Sequence, residues 1–214
     1  MLALIFSVLS IAAPTLTGLL DDSGWKAHKK IRNKKVGTIV VQKKKIDGSW
    51  CYRAQSDVKE VSFTRLVEVS KDIPSAVKWS SSGVKESVVI EQKGSRIDYY
   101  QYLKIPFLRD RHWFLRGNIK EDATSFRFAW ERVPLTEHSA FRKKIKEKSP
   151  KAITPPINVG EWYFQKKEAF VLVRYSICTD PGGSIPKSLR QFGTMKTLPT
   201  NVKEMVMEAR KRDQ

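Results

Sequence analysis

Few side chains in this sequence are of the kinds that do covalent chemistry, and their spacing assembles none of the familiar sites. Its 214 residues contain three histidines and two cysteines. His28 lies in a lysine-rich stretch, His138 in a polar excursion, and His112 alternates onto the same side of an extended segment as Phe114 and Arg116. None has a Cys, Asp or Glu at metal-ligand spacing on a helix, and no His-Glu-x-x-His pattern occurs. Cys51 and Cys178 are too few for a disulfide-rich scaffold or a structural zinc site and enough for one bridge. There is no Gly-x-Ser-x-Gly elbow and no dinucleotide fingerprint, and Gly182-Gly183 lacks the later glycine of a phosphate cradle. The sequence assigns no catalytic residue, no metal and no cofactor, and it disfavours a hydrolase or a nucleotide enzyme.

Large apolar side chains recur at period two instead, the spacing that puts them on one face of a strand. In "DYYQYLKIP" this selects Tyr99, Gln101 and Leu103, and in "RHWFLRG" Trp113 and Leu115. In "SFRFAWERV" Phe126, Phe128 and Trp130 share a side opposite Arg127 and Glu131. Such rings either fill an ordinary core or line a ligand cavity. A cavity also needs a few convergent polar groups, for which Gln101 and Tyr175 are the candidates.

The elements that would carry these residues follow from turn signals and periodicity. Asp21 to Lys35 is polar and reads as a short helix capped by Asp22 or Ser23. "VGTIVVQKKK" and "SWCYRAQSDV" flank Asp47-Gly48 and predict a β-hairpin. Phe63, Leu66, Val67, then Ile73, Ala76 and Val77, predict two short helices ending near Gly83, with Pro74 in the first turn of the second. From Val84 six strand-like runs form a long antiparallel meander, broken from Pro134 to Asn158 by an exposed excursion. "TDPGGSIP" must then be a sharp corner, with Gly182 and Gly183 free to take positive backbone angles. Beyond it Leu189, Phe192, Met195, Val202, Met205 and Val206 make an amphipathic helix that Pro199 kinks or restarts. That helix is the one long element able to cover the sheet.

The bulk numbers set the partners. Forty Lys and Arg against 22 Asp and Glu give a net charge of +18, which attracts an anionic surface, whether a membrane or a nucleic acid, or serves solubility alone. "MLALIFSVLSIAAPTLTGLL" has no charged side chain, and its apolar run from Leu2 to Ala13 falls short of the ~20 residues that span a bilayer. It matches the apolar part of a secretory signal, with Ser10-Ile11-Ala12 placing a cut before Ala13; an uncleaved anchor is the alternative.

"DPGGSIPKSLRQF" followed by "LPTNVKEM", supported by "LKIPFLRDRHWFLR", "GWK" and "VKES", resembles the START family of StAR-related lipid-transfer domains, bacterial type, within the helix-grip (Bet v 1-like) superfamily. The resemblance implies an α+β helix-grip fold: a curved antiparallel sheet wrapped around a long C-terminal helix, with short helices after the first hairpin. It divides the chain into a signal or anchor over residues 1–17 and a lipid-binding domain over 21–212. It also implies a tunnel for one lipid or other hydrophobic small molecule, lined by Tyr99, Gln101, Leu103, Trp113, Leu115, Phe126, Phe128, Trp130, Tyr175, Leu189 and Phe192. The expected protein is a monomer, not an enzyme, exported to the periplasm or secreted, that meets anionic membranes transiently and takes no nucleic acid. Two other readings stay open: a basic nucleic-acid-binding protein using Lys43 to Lys45 and Arg142 to Lys148, and a helix-grip enzyme of cyclase or hydrolase type. In the implied arrangement the second hairpin strand runs antiparallel beside the last strand of the meander. Cys51 and Cys178 could then be opposite one another and bridged, or, with the register off by one, remain unrelated buried thiols.

Overall fold

The computed structural model describes residues 14–105, 108–183, 185 and 187–214, and of residues 187–194 the backbone alone. Residues 1–13 of the expected signal or anchor, together with the side chains of Leu189 and Phe192, therefore lie outside the described residues.

Residues 21–35 do not form the short helix their polarity suggests. Helix α1 spans Leu16–Leu20, capped by Thr15, whose hydroxyl accepts from the Gly18 N–H, and Lys26–Asn33 is strand β1 at the sheet edge. The side chains from Lys26 to Lys30 are all exposed, so the strand carries no apolar alternation to read. Its conformation comes from the ladder it makes with its neighbour, and a lysine-rich edge also discourages pairing with another chain.

The Asp-Gly signal holds. Asp47 and Gly48 have φ of 45° and 82°, the positive angles of a two-residue hairpin turn, and join β2 (Gly37–Ile46) to β3 (Ser49–Val58). Ser62 caps α2 (Phe63–Lys71) by accepting from the Arg65 N–H, and a short 3₁₀ turn containing Pro74 leads into α3 (Ala76–Trp79). The meander follows as β4 (Val84–Lys93), β5 (Arg96–Leu103), β6 (Arg111–Glu121), β7 (Ser125–Arg132), β8 (Ile157–Lys166) and β9 (Val171–Asp180). The excursion before β8 contains a helix, α4 (Ser139–Lys148). The closing helix α5 (Lys187–Lys211) runs as one element with Pro199 inside it, rather than restarting there.

All nine strands pair antiparallel in the order β1-β2-β3-β9-β8-β7-β6-β5-β4. The inner face packs on α2 and α5 through one large core that includes Ile39, Ala54, Leu66, Phe164, Val202, Met205 and Val206. Two smaller clusters cover the outer face. Tyr100 and Phe114 pack under Phe141 and Ile145 of α4, so the excursion lies over the sheet while Lys143, Lys144 and Lys146 point to solvent. Leu19 of α1 packs on Ile46 and Val159 and on a disulfide between Cys51 and Cys178. Tyr52 pairs with Ile177, which sets the two cysteines opposite one another on neighbouring strands with Cα atoms 4.4 Å apart.

The corner that returns the chain under the sheet is built as its residues suggest. Gly182 and Gly183 have φ of 65° and 72°, and Asp180 accepts the Gly182 N–H at 2.9 Å. Arg111, buried on β6, donates to the carbonyls of Pro181 and Gly182 and ties the corner to the sheet.

Candidate functional site

A cavity of about 1020 Å³ lies between the inner face of the sheet and the helices α2, α3 and α5. Tyr99, Gln101, Leu103, Trp113, Leu115, Phe128, Trp130 and Tyr175 all line it. Phe126 is placed differently: fully buried, it stacks on Phe164 at 5.5 Å and belongs to the packed core rather than to the lining. Trp162 joins the wall, its ring 4.4 Å from that of Tyr175, as do Val69, Ile73 and Trp79 from the short helices and Leu198, Asn201 and Met205 from α5. Trp162 alternates with Phe164 in "GEWYFQ" and could have been read from that spacing.

Two glycines give the wall its shape, and composition offers no sign of them. Trp130 pairs across the strands with Gly117 on one side and Gly160 on the other. A Cβ on Gly117 would stand 2.0 Å from the Phe128 ring, and one on Gly160 2.3 Å from the Trp130 ring. The absent side chains let both rings lie over neighbouring strands as part of the cavity floor.

The polar content of the wall is small and neutral. Gln101 donates to the Ser87 hydroxyl at 3.3 Å, and that hydroxyl donates to the Ile73 carbonyl. Burial pushes the Tyr175 hydroxyl well above the usual phenol range, a hydrogen bond from Asn201 offsetting part of the effect, and burial does the same at Tyr99. Both phenols are neutral donors at any physiological pH. Lys85 and Lys104 reach the lining only as exposed residues, beside exposed Leu108, and Asp72 is paired with Arg212. Among the described lining residues there is no histidine, cysteine or glutamate.

The groups suited to acid–base or metal chemistry lie on the other side of the sheet. His112 bonds Thr154 at 2.6 Å, and burial, with Arg142 adding to it, lowers its pKa. Glu91, Asp98 and His138 bring ligand atoms within 4.8 Å of one another. Burial would raise the Asp98 pKa, but hydrogen bonds from Arg116, Arg96 and His138 hold it far below the usual carboxylate range. Two guanidinium groups already occupy that carboxylate at 2.7 and 3.0 Å and would repel a cation. A second cluster sets Glu161, fully buried, among Arg53, Arg127 and Arg174, with Asp22 across Arg53 and Arg174.

No protein-family model matches the chain, and comparison with curated proteins finds no match. Solved structures do match. Human STARD10 aligns over 91% of this chain and 76% of its own, with a TM-score of 0.71 and 15% identity. A STAR-related lipid transfer protein from Xanthomonas axonopodis aligns over 84% and 99%, with a TM-score of 0.60 and 21% identity. The Zhui aromatase/cyclase from Streptomyces sp. R1128 aligns over 77% and 96%, with a TM-score of 0.52 and 12% identity. The chain has the START-type helix-grip fold, an α+β architecture that carries lipid-transfer proteins and cyclases alike.

Proposed function

We propose that the protein binds one lipid or other hydrophobic small molecule in the cavity under α5, and that it carries this ligand rather than transforming it. The observation that carries the reading is the cavity itself: about 1020 Å³, walled by seven aromatic residues and bordered by a helix that turns in at a glycine corner. Its size suits a whole amphiphile, and its neutral wall offers binding without a reacting group. The likeness in fold to a STAR-related lipid transfer protein from Xanthomonas axonopodis supports it. The aromatic residues that a nucleic-acid reading would use for stacking, Phe126, Phe128 and Trp130, are buried on the inner face.

The protein acts as a monomer, exported and meeting anionic membranes transiently through its basic exterior, where each Lys or Arg near the surface contributes about 1 kcal/mol. The net charge of +18 and the exposed lysines of α4 support the membrane part. The Cys51–Cys178 bridge, which an oxidising compartment favours, supports the export part. Among the described residues no helix is long and apolar enough to cross a membrane. The test is to purify the protein from cells and analyse an organic extract by mass spectrometry. A co-purifying lipid at near-stoichiometric yield is expected; a clean extract together with tight, salt-sensitive DNA binding overturns the reading.

A further inference from the structure

Half of the net charge sits in one ribbon of the sheet. Between Gly24 and Ile46, across β1 and β2, there are nine Lys and Arg and no Asp or Glu, against +18 for the whole chain. Among the described residues only Lys44 of the nine is ion-paired, with Asp21. Like charges directly opposite one another destabilise a sheet, so the fold itself does not call for this concentration. The register sets part of the charge beside an aromatic ring: Lys26 pairs with Lys43, Lys43 with Tyr52, and Lys45 with Trp50. Paired residues, and every second residue along a strand, share a face. Lys26, Lys43, Lys45 and Trp50 therefore stand on the face of Tyr52, which belongs to the inner core and pairs with the cavity residue Ile177. Trp50 itself lies outside that core and is 40% exposed, as Lys26 and Lys45 are exposed, and the Lys43 ammonium is 5.0 Å from the centre of its ring. The patch ends at the Asp47-Gly48 turn, where the Asp47 carboxylate accepts the Thr15 N–H at 3.3 Å. The apolar run from Leu2 to Ala13 thus joins the domain at this same turn.

We infer that this end of the β2–β3 hairpin is the surface that docks on an anionic bilayer leaflet, its lysines meeting lipid phosphates and Trp50 entering the headgroup layer. The inference rests on the proposed membrane contact and names its site. An indole has an apolar body and a polar N–H, which suits it to the boundary between headgroups and acyl chains, and lysines around it supply attraction to anionic lipid. A weak apolar anchor becomes a stable one when a basic patch adds a second signal, and here both meet at one turn. A soluble polyanion such as a nucleic acid would use the lysines equally but gives no part to the apolar run. Because the patch shares its face with the cavity, docking turns the cavity side of the domain towards the lipid.

The test sediments the full chain with vesicles of phosphatidylcholine alone and of phosphatidylcholine and phosphatidylglycerol in equal parts. The parent should bind the anionic vesicles and leave the neutral ones. Changing Lys26, Lys29 and Lys45, all exposed, to Glu should weaken that binding about tenfold or more. Changing Lys120, Lys166 and Lys167 to Glu makes the same charge difference on exposed residues at the far end of the sheet, and should weaken it much less. Brominated acyl chains in the anionic vesicles should quench the parent's tryptophan fluorescence, and Trp50→Phe should abolish that quenching. Equal losses in the two triple variants overturn the inference while the membrane contact stands, since net charge alone would then explain it. Quenching that survives Trp50→Phe, or equal binding of the parent to both kinds of vesicle, also overturns it. A parent protein that binds neither kind, or that binds DNA in their place, removes the proposed membrane contact and this surface together.

Discussion

Removing the Cys51–Cys178 bridge should cost more stability than any single side chain in the cavity. The bridge closes a segment with a sequence separation of 127, and the chain-entropy relation gives about 5 kcal/mol for a loop of that length. For a domain of this size each kcal/mol moves the melting temperature by about 2–4 °C, so the full effect is about 10–20 °C. Both cysteines are fully buried beneath Leu19, so reductant reaches them only when the protein opens. The comparison must therefore be made after unfolding in denaturant with reductant and refolding reduced, alongside the Cys51→Ala/Cys178→Ala double variant. The double variant should melt at or below the reduced protein, because it also removes two buried sulfurs from the small cluster that seats α1. Melting followed by circular dichroism in both forms, with free thiols counted by mass after alkylation, gives the result. A reduced protein that melts within about 3 °C of the oxidised one refutes the reasoning, since the bridge would then constrain nothing in the unfolded chain.

Gly160→Ala places a methyl 2.3 Å from the Trp130 ring and 2.8 Å from Ile177, so it should destabilise the fold by about 1–3 kcal/mol and weaken uptake of bulky apolar probes as the ring is driven into the cavity. Denaturant titration and fluorophore binding measure the two effects, and unchanged values in both would place the ring elsewhere. Burial, with Arg142 adding to it, lowers the His112 pKa in the fold, whereas the unfolded chain takes up a proton near pH 6.5. Stability should therefore rise as pH increases from about 5 to 7, and His112→Leu should flatten that part of the profile. Reversing Lys143, Lys144 and Lys146 to Glu on the exposed face of α4 should weaken binding to anionic vesicles in a sedimentation assay and leave cavity occupancy unchanged. Equal vesicle binding before and after removes this helix from the docking surface.

Where a residue's neighbours in the chain determine its surroundings, the sequence was legible. Asp47-Gly48 and Gly182-Gly183 dictate positive backbone angles locally, and both turns stand where they were expected. The alternation from Tyr99 to Trp130 specified a buried face because that whole face meets one core. The alternation could not separate Phe126, which stacks on Phe164, from Phe128, which lines the cavity two residues later, because that distinction is set by the covering helices rather than by the strand. Strand β1 escaped because its lysines bury nothing, and a ladder supplied by β2 leaves no trace in the side chains of its partner. The roles of Gly117, Gly160 and Asn201 depend on pairings across strands or across the cavity, which no local pattern encodes.

Arg210 near the end of α5 donates to three backbone carbonyls, those of Lys35, Lys59 and Glu60, which lie 150 to 175 residues earlier in the chain. This clasp joins the last helix to the two segments at the open end of the β2–β3 hairpin, away from its Asp47-Gly48 turn. During synthesis every strand is available before α5 leaves the ribosome, so the apolar face of the sheet waits uncovered for the final segment. Translation thus leaves a window in which the part of the groove that α5 covers is open while α2 and α3 are already made, and a nascent chain stalled before residue 210 would present that part to chaperones and membranes alike. The order of the elements makes closure of the cavity and completion of the domain a single late event.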